Sequence, residues 1–239
     1  MGQGTRKADD VALTLLDQIV SGERAVGSVL PTEAELAEQF GVNRGAVREA
    51  NKLLEVHRLV RPVRRRGTEV LDPMQSLTPE VLKAMLVDRK GRVNVDMLGH
   101  FLELRAVLDV EMGRLAAERR TETDLVALDA CVDRIAECVG CPEDFDTELH
   151  ELGLTLARAT QNPIFVMLSH WNRQIYGYLG SLLGSVRQAT EQQVLAYRSL
   201  VAAVRRQDVE TLTQMVSAFH NWANQELLLA AKSWKPPHG

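Results

Sequence analysis

Apolar residues follow helical spacing over most of this chain, interrupted by one short stretch of strand-like runs between residues 59 and 71. Ala12, Leu15, Leu16 and Ile19 recur every three to four positions and predict a first helix over residues 9–20, with Gly22 just past its end. After a turn through residues 25–30, Pro31-Thr32-Glu33-Ala34-Glu35 marks a second helix start. There the Thr32 hydroxyl can accept a backbone N–H while Glu35 reaches back as its capping-box partner. Leu36 and Phe40 form its inner face and Gly41 its stop. Asn43 caps a third helix running to about Val56, with Val47, Ala50 and Leu54 on one side. Two short helices across a glycine-containing turn predict a helix-turn-helix. Leu59-Val60-Arg61-Pro62-Val63 and Glu69-Val70-Leu71 predict two strands, joined by a hairpin tip at Arg64-Arg65-Arg66-Gly67-Thr68.

Asp72-Pro73 predicts a boundary, because the residue before proline is biased away from helix. Beyond it, helices are expected at about 78–87, 95–119, 123–139, 143–160, 163–185, 190–206 and 208–232. Thr123 is the expected cap of the third of these, and Leu98, Leu102, Val107, Leu108 and Leu115 the expected buried face of the second. The fold class is therefore mainly α: a winged helix-turn-helix over residues 1–73, then an antiparallel bundle of about seven helices over 76–234.

Composition narrows the reading. A length of 239 residues with 45% hydrophobic content supports two cores, and no stretch approaches the roughly 20 apolar residues of a membrane span. Residues 1–10 are polar, without the apolar core of a signal peptide, so a cytoplasmic location and no membrane partner are expected. The formal charge of −4 hides a division along the chain, for residues 1–72 carry eleven Lys/Arg and eleven Asp/Glu, leaving the deficit downstream. From Arg44 to Arg66 eight basic residues face only Glu49 and Glu55, a local +6 that suits phosphates. Cys138 and Cys141 form a CxxC, but with no second pair and an odd total of three cysteines, small buried thiols are the expectation.

Asn43, Arg44 and Arg48 lie at the N-terminal end of the third helix, the part that meets base edges when such a helix enters a major groove. Arg44 and Arg48 are four apart and share a face, each with a planar fork suited to guanine or to a phosphate. Arg64, Arg65 and Arg66 would carry a wing to the DNA backbone or the minor groove. In the bundle, Asp146 and His150 share a helical face, the spacing of half a divalent metal site for zinc, nickel or manganese or of a hydrogen-bonded core pair. Arg105 is a candidate anchor for a carboxylate effector if it turns into a cavity, with a surface Glu-paired arginine as the alternative. His170, Trp171 and Tyr176 could line the same space or fill the core. The chain lacks a phosphate-cradling glycine loop and a GxSxG, so it reads as a non-enzyme. A metal-dependent enzyme on the helical domain, or an effector-independent DNA-binding protein, are the alternatives.

The run LPTEAELAEQFGVNRGAVREANKLLEVHRLVRPVRRRGTEV resembles the winged helix of the GntR superfamily. The segments ELRAVLD, RTETDL, DTELH and ATQNPIF resemble landmarks of its FadR subfamily, whose ligand domain is a seven-helix FCD bundle. The resemblance implies base contacts by Arg44 and Arg48, minor-groove entry by Arg64 to Gly67, a homodimer on a pseudo-palindromic operator in double-stranded DNA, and a bias toward repression. It further implies an effector bound in the bundle, from small carboxylic acids to acyl-CoA thioesters, with Arg105 and Tyr197 facing it. In metal-binding members two histidines on the last two helices complete the ligand set. Here Tyr197 stands at the first position and Phe219 at the second, with His220 one place along as the candidate third ligand beside Asp146 and His150. Other departures are Ala34 for a DNA-contacting arginine, Arg58 and Arg65 for turn glycines, and Asn51 for an apolar core residue.

Overall fold

The computed structural model describes residues 3–139, 144–183 and 190–234, which form ten α-helices and a two-stranded sheet. They divide into one compact unit ending at Asn94 and a second spanning Val95–Trp234.

In the first unit α1 (Gln3–Val20) packs on α3 (Arg44–Val56), with α2 (Glu33–Phe40) between Thr32 and Gly41. The expected capping box is present: Glu35 N–H donates to the Thr32 hydroxyl while Thr32 N–H donates to the Glu35 carboxylate at 2.7 Å. Gly41 closes α2 in the left-handed region at φ 62°. Leu15, Ile19, Leu36, Val47, Leu54 and Leu59 fill the core. Strands β1 (Val60–Val63) and β2 (Gly67–Val70) pair antiparallel with Val60 opposite Val70 and Val63 opposite Gly67. Arg64 to Arg66 make the turn, and a bridge from Val29 to Glu69 extends the pairing. α1 starts at Gln3, six residues before the expected start, because Ala8 and Val11 already pack inward.

The helix α4 (Pro79–Leu86), expected in the second domain, sits in the first unit: it packs on α1, and Val81 joins the core of that unit. A turn at residues 88–91, with a bridge from Val87 to Val93, leads out of it.

The second unit is a bundle of α5 (Val95–Arg119), α6 (Glu122–Glu137), α7 (Phe145–Ala159), α8 (Pro163–Leu183), α9 (Glu191–Arg206) and α10 (Val209–Ser233). α5 packs along α10, where Gly113 permits the approach: a Cβ there would stand 3.3 Å from Leu212 Cδ2. α6 is capped by Thr121, not Thr123, because Asp124 three residues on completes a capping box with it. Cys131 and Cys138 are buried, while Cys141 lies outside the described residues. Among the described residues no helix is long and apolar enough to cross a membrane.

Candidate nucleic-acid interface and bundle cavity

Helix α3 begins at Arg44 because Asn43 Oδ1 accepts the N–H of Ala46 at 2.8 Å, taking up one of the donors that the first turn leaves unpaired. Asn43 thus caps the helix through its side-chain oxygen while staying exposed. Ala46, Val47 and Ala50 face the core, which turns Arg44 and Arg48 to solvent on the opposite side. Arg48 is held by Glu33 at the start of α2: Nε donates to Oε1 at 3.2 Å and Nη2 to Oε2 at 2.9 Å. That bond holds the Glu33 carboxyl below the usual carboxylate range.

The wing presents Arg64, Arg65 and Arg66, all exposed, around a turn closed by Arg66 N–H donating to the Val63 carbonyl at 3.0 Å. Arg65 has φ 63°, the left-handed conformation that the third residue of such a turn adopts most readily as glycine. Gly67 is required where it stands: at φ 107°, a Cβ would lie 2.8 Å from Val29 Cγ1. Arg61 is paired across the strands with Glu69 at 3.0 Å, leaving the three tip arginines as the wing's outward charge. Arg58, after α3, also adopts φ 55°. Both departures from family glycines thus fall on backbone that disfavours a side chain, at about 1 to 2 kcal/mol each. Asn51 is buried and its Oδ1 has no hydrogen-bond partner.

In the bundle, a cavity of about 490 Å³ is bounded by α5, α7, α8, α9 and α10. Leucines from α7 and α10, Met215, Val216 and Phe219 make much of its wall apolar. One part is ionic. The Asp109 carboxylate accepts from His220 Nε2 at 3.1 Å and lies 3.2 Å from Arg105 Nε, both through Oδ2. The Arg105 guanidinium also stacks 4.8 Å from the centre of the Tyr176 ring. Burial would push the Asp109 carboxyl up, but Arg105 and His220 together outweigh it and hold it below the usual range. His220 is only 3% exposed, and its Nδ1 has no hydrogen-bond partner.

Arg105, Asp146, His150, Tyr197 and His220, singled out from the sequence, all line this one cavity. Asp109 was not among them, although it is its ionic centre. The signal was present: along α5 the inward stripe runs Leu98, Leu102, Arg105, Asp109, Met112, Ala116, so two charged residues occupy positions that the period reserves for apolar ones. Val107, expected inside, is 63% exposed because it lies two residues, or about 200°, from Arg105. Tyr176 lines the cavity; Trp171 instead packs its ring 6.3 Å from Phe101.

Among the described residues no three or more His, Cys, Asp or Glu side chains gather closely enough to hold a metal ion. Two features are local: His220 Nε2 is engaged with Asp109, and Tyr197 occupies the place of a histidine. Tyrosine is a poor ligand near neutral pH because its phenol keeps its proton. Asp146, His150 and His220 thus line one cavity without forming a closed three-residue set among the described residues.

Comparison with known proteins covers both units. A model described as "Bacterial regulatory proteins, gntR family" matches residues 7–70, and one described as "FCD domain" matches residues 100–220. The chain is 28% identical to an HTH-type transcriptional regulator of Mycobacterium tuberculosis, over 90% of this chain and 87% of that protein. It is 29% identical to the galactonate operon transcriptional repressor of Escherichia coli, over 87% of this chain and 91% of that one. Among solved structures, Lar of Listeria monocytogenes shares the fold with a TM-score of 0.58 at 18% identity, covering 95% of this chain and 97% of that one. Escherichia coli McbR/YncC does so at 0.51 and 18%, covering 98% and 100%. A basic winged helix joined to a cavity-bearing bundle, matched unit by unit, places the chain in the gntR family of bacterial regulatory proteins with an FCD domain, as a DNA-binding transcriptional regulator.

Proposed function

We propose that the chain acts in the cytoplasm as a homodimeric repressor whose hold on a pseudo-palindromic operator is set by a small carboxylate effector in the bundle cavity. Base edges are read by Arg44 and Arg48 from α3, in successive major grooves of the two half-sites. Arg64 to Arg66 meet the backbone and the minor groove beside them, with Gly67 allowing the tight turn that presents them. Asn43 supports the helix start more than it reads sequence, since its side-chain oxygen is used as a cap.

The observation that carries the effector reading is the cavity of about 490 Å³ with the Arg105, Asp109 and His220 cluster in an otherwise largely apolar wall. That volume falls within the usual range of small-molecule sites, roughly 300 to 1,000 Å³. A small acid fits it whole, with the carboxylate drawn to Arg105 and within reach of Tyr197. An acyl-CoA thioester could place only its acyl chain there. The galactonate operon repressor among the relatives supports the acid, since galactonate is a hydroxylated carboxylate. Switching follows if the effector binds the DNA-competent and incompetent dimer geometries unequally, because only differential affinity shifts their balance.

A thermal-shift screen of the full chain against small carboxylic acids and acyl-CoA thioesters tests this reading. A true effector raises the melting temperature by mass action, loses that effect in Arg105→Ala, and releases the chain from a duplex it has been selected to bind. Stabilisation by acyl-CoA alone, or stabilisation by an acid that survives Arg105→Ala, contradicts it.

A further inference from the structure

We propose that Glu33 is a positioning residue for base recognition: it grips the Arg48 guanidinium along its Nε side, so that the adjoining end-on edge is presented to the DNA ready aimed. The inference rests on Arg48 reading a base, as proposed above.

A guanidinium carries five N–H bonds in one plane. The bond to Glu33 uses the Nε–H and one N–H of Nη2, on both carboxylate oxygens, at 3.2 and 2.9 Å. Left over are the second N–H of Nη2 and the two of Nη1. Those on the Nη1 and Nη2 side form the end-on fork that matches guanine O6 and N7. Arg48 stays 61% exposed while gripped, so this fork faces solvent rather than protein. Glu33 is itself well placed to hold still, as the first residue of a helix whose start is fixed by the Thr32 and Glu35 capping box and whose Leu36 is fully buried.

Fold stability does not account for this pair, because exposed ion pairs contribute little. General DNA affinity does not either, since a carboxylate beside phosphates opposes binding. Specificity does account for it: a long side chain already held in one geometry loses less freedom on meeting its base than an unrestrained one. Glu33 thus gives up some affinity for any DNA in return for discrimination.

The test is selection of duplexes from a random library by the full chain, repeated with Glu33→Gln, Arg48→Ala and the double variant. Affinities for selected and scrambled duplexes are then read by fluorescence anisotropy. Glu33→Gln is expected to lower the selected-to-scrambled affinity ratio about tenfold and to lose preference at the base pair that Arg48→Ala also loses. The double variant should discriminate no worse than Arg48→Ala alone, because the two residues act as one unit. Retained discrimination in Glu33→Gln overturns the proposal. So does lost preference at a different base pair, which would mark Glu33 as itself accepting from a cytosine amino group. If Arg48→Ala leaves the selected sequence unchanged, the base-reading role of Arg48 fails, and that of Glu33 with it.

Discussion

Two arginine–carboxylate pairs in this chain have similar geometry and opposite surroundings. Arg48 and Glu33 meet at 2.9 Å with the arginine well exposed and the glutamate partly so, whereas Arg105 and Asp109 meet at 3.2 Å inside a cavity, with the buried His220 closing the cluster. In water the first pair is screened and exchangeable, so it shapes where a fork points without contributing much to the fold. In the bundle the second pair compensates charges that could not otherwise remain there, and a ligand anion must compete for a guanidinium already engaged. The DNA-facing unit keeps its charges outward for a polyanion. The bundle neutralises its own.

Removing Asp109 should break this symmetry most strongly. Asp109→Ala leaves Arg105 and His220 without their shared acceptor and is expected to destabilise the bundle by roughly 3 kcal/mol, read from urea unfolding. A cost below about 1 kcal/mol would mean that the cluster is as loosely held as the surface pair. A pH effect follows with a defined sign. The folded Asp109 carboxyl titrates below its unfolded value, so its contribution is complete above about pH 4 and is lost as pH falls through the lower folded value. Asp109→Asn should therefore flatten the acid limb of the stability profile, and an unchanged limb would remove Asp109 from its cause.

Asn51→Leu is expected to stabilise the first unit by about 1 kcal/mol, since it removes a buried oxygen with no partner while keeping the branched shape of the side chain. Loss of stability on thermal unfolding would show that the amide has a structural role. Glu33→Gln is the smallest of these effects, within about 0.5 kcal/mol of wild type in the same assay. A larger loss would make the exposed pair structural and blur the contrast with the bundle.

The first unit was legible because its signals are local. The capping box at Thr32 and Glu35, the cap at Asn43 and the stop at Gly41 each involve residues within a few positions, and all stand where their chemistry requires. The wing was legible for the same reason. The physical cost of Arg58 and Arg65, however, emerged only with their backbone angles. The bundle hid its site because the cavity gathers residues from Arg105 to His220 across five helices. Sequence spacing shows Asp146 and His150 on one face of a helix, but it does not show the ion pair that joins α5 to α10. Asp109 escaped because an apolar stripe is read by its leucines, and a charged residue on the stripe looks like a break in it. Thr121 lost to Thr123 because both precede an acidic residue, and α4 was assigned to the wrong unit because Asp72-Pro73 is a turn signal, not a domain boundary.

The proposed division of labour gives the reading of sequence to α3 and the supply of charge to the wing. It is tested most directly by measuring operator affinity of the full chain between 50 and 200 mM salt (about the range where screening is informative) for Arg44→Ala and for a variant with Arg64, Arg65 and Arg66 all changed to alanine. Arg44→Ala should lose discrimination between selected and scrambled duplexes, by about 1 to 3 kcal/mol, with the salt slope nearly kept. The wing variant should bind every duplex more weakly, with the slope reduced by roughly 2 to 3 and discrimination largely kept. If the wing variant loses discrimination while its salt slope is unchanged, or Arg44→Ala weakens all duplexes alike, the division is contradicted.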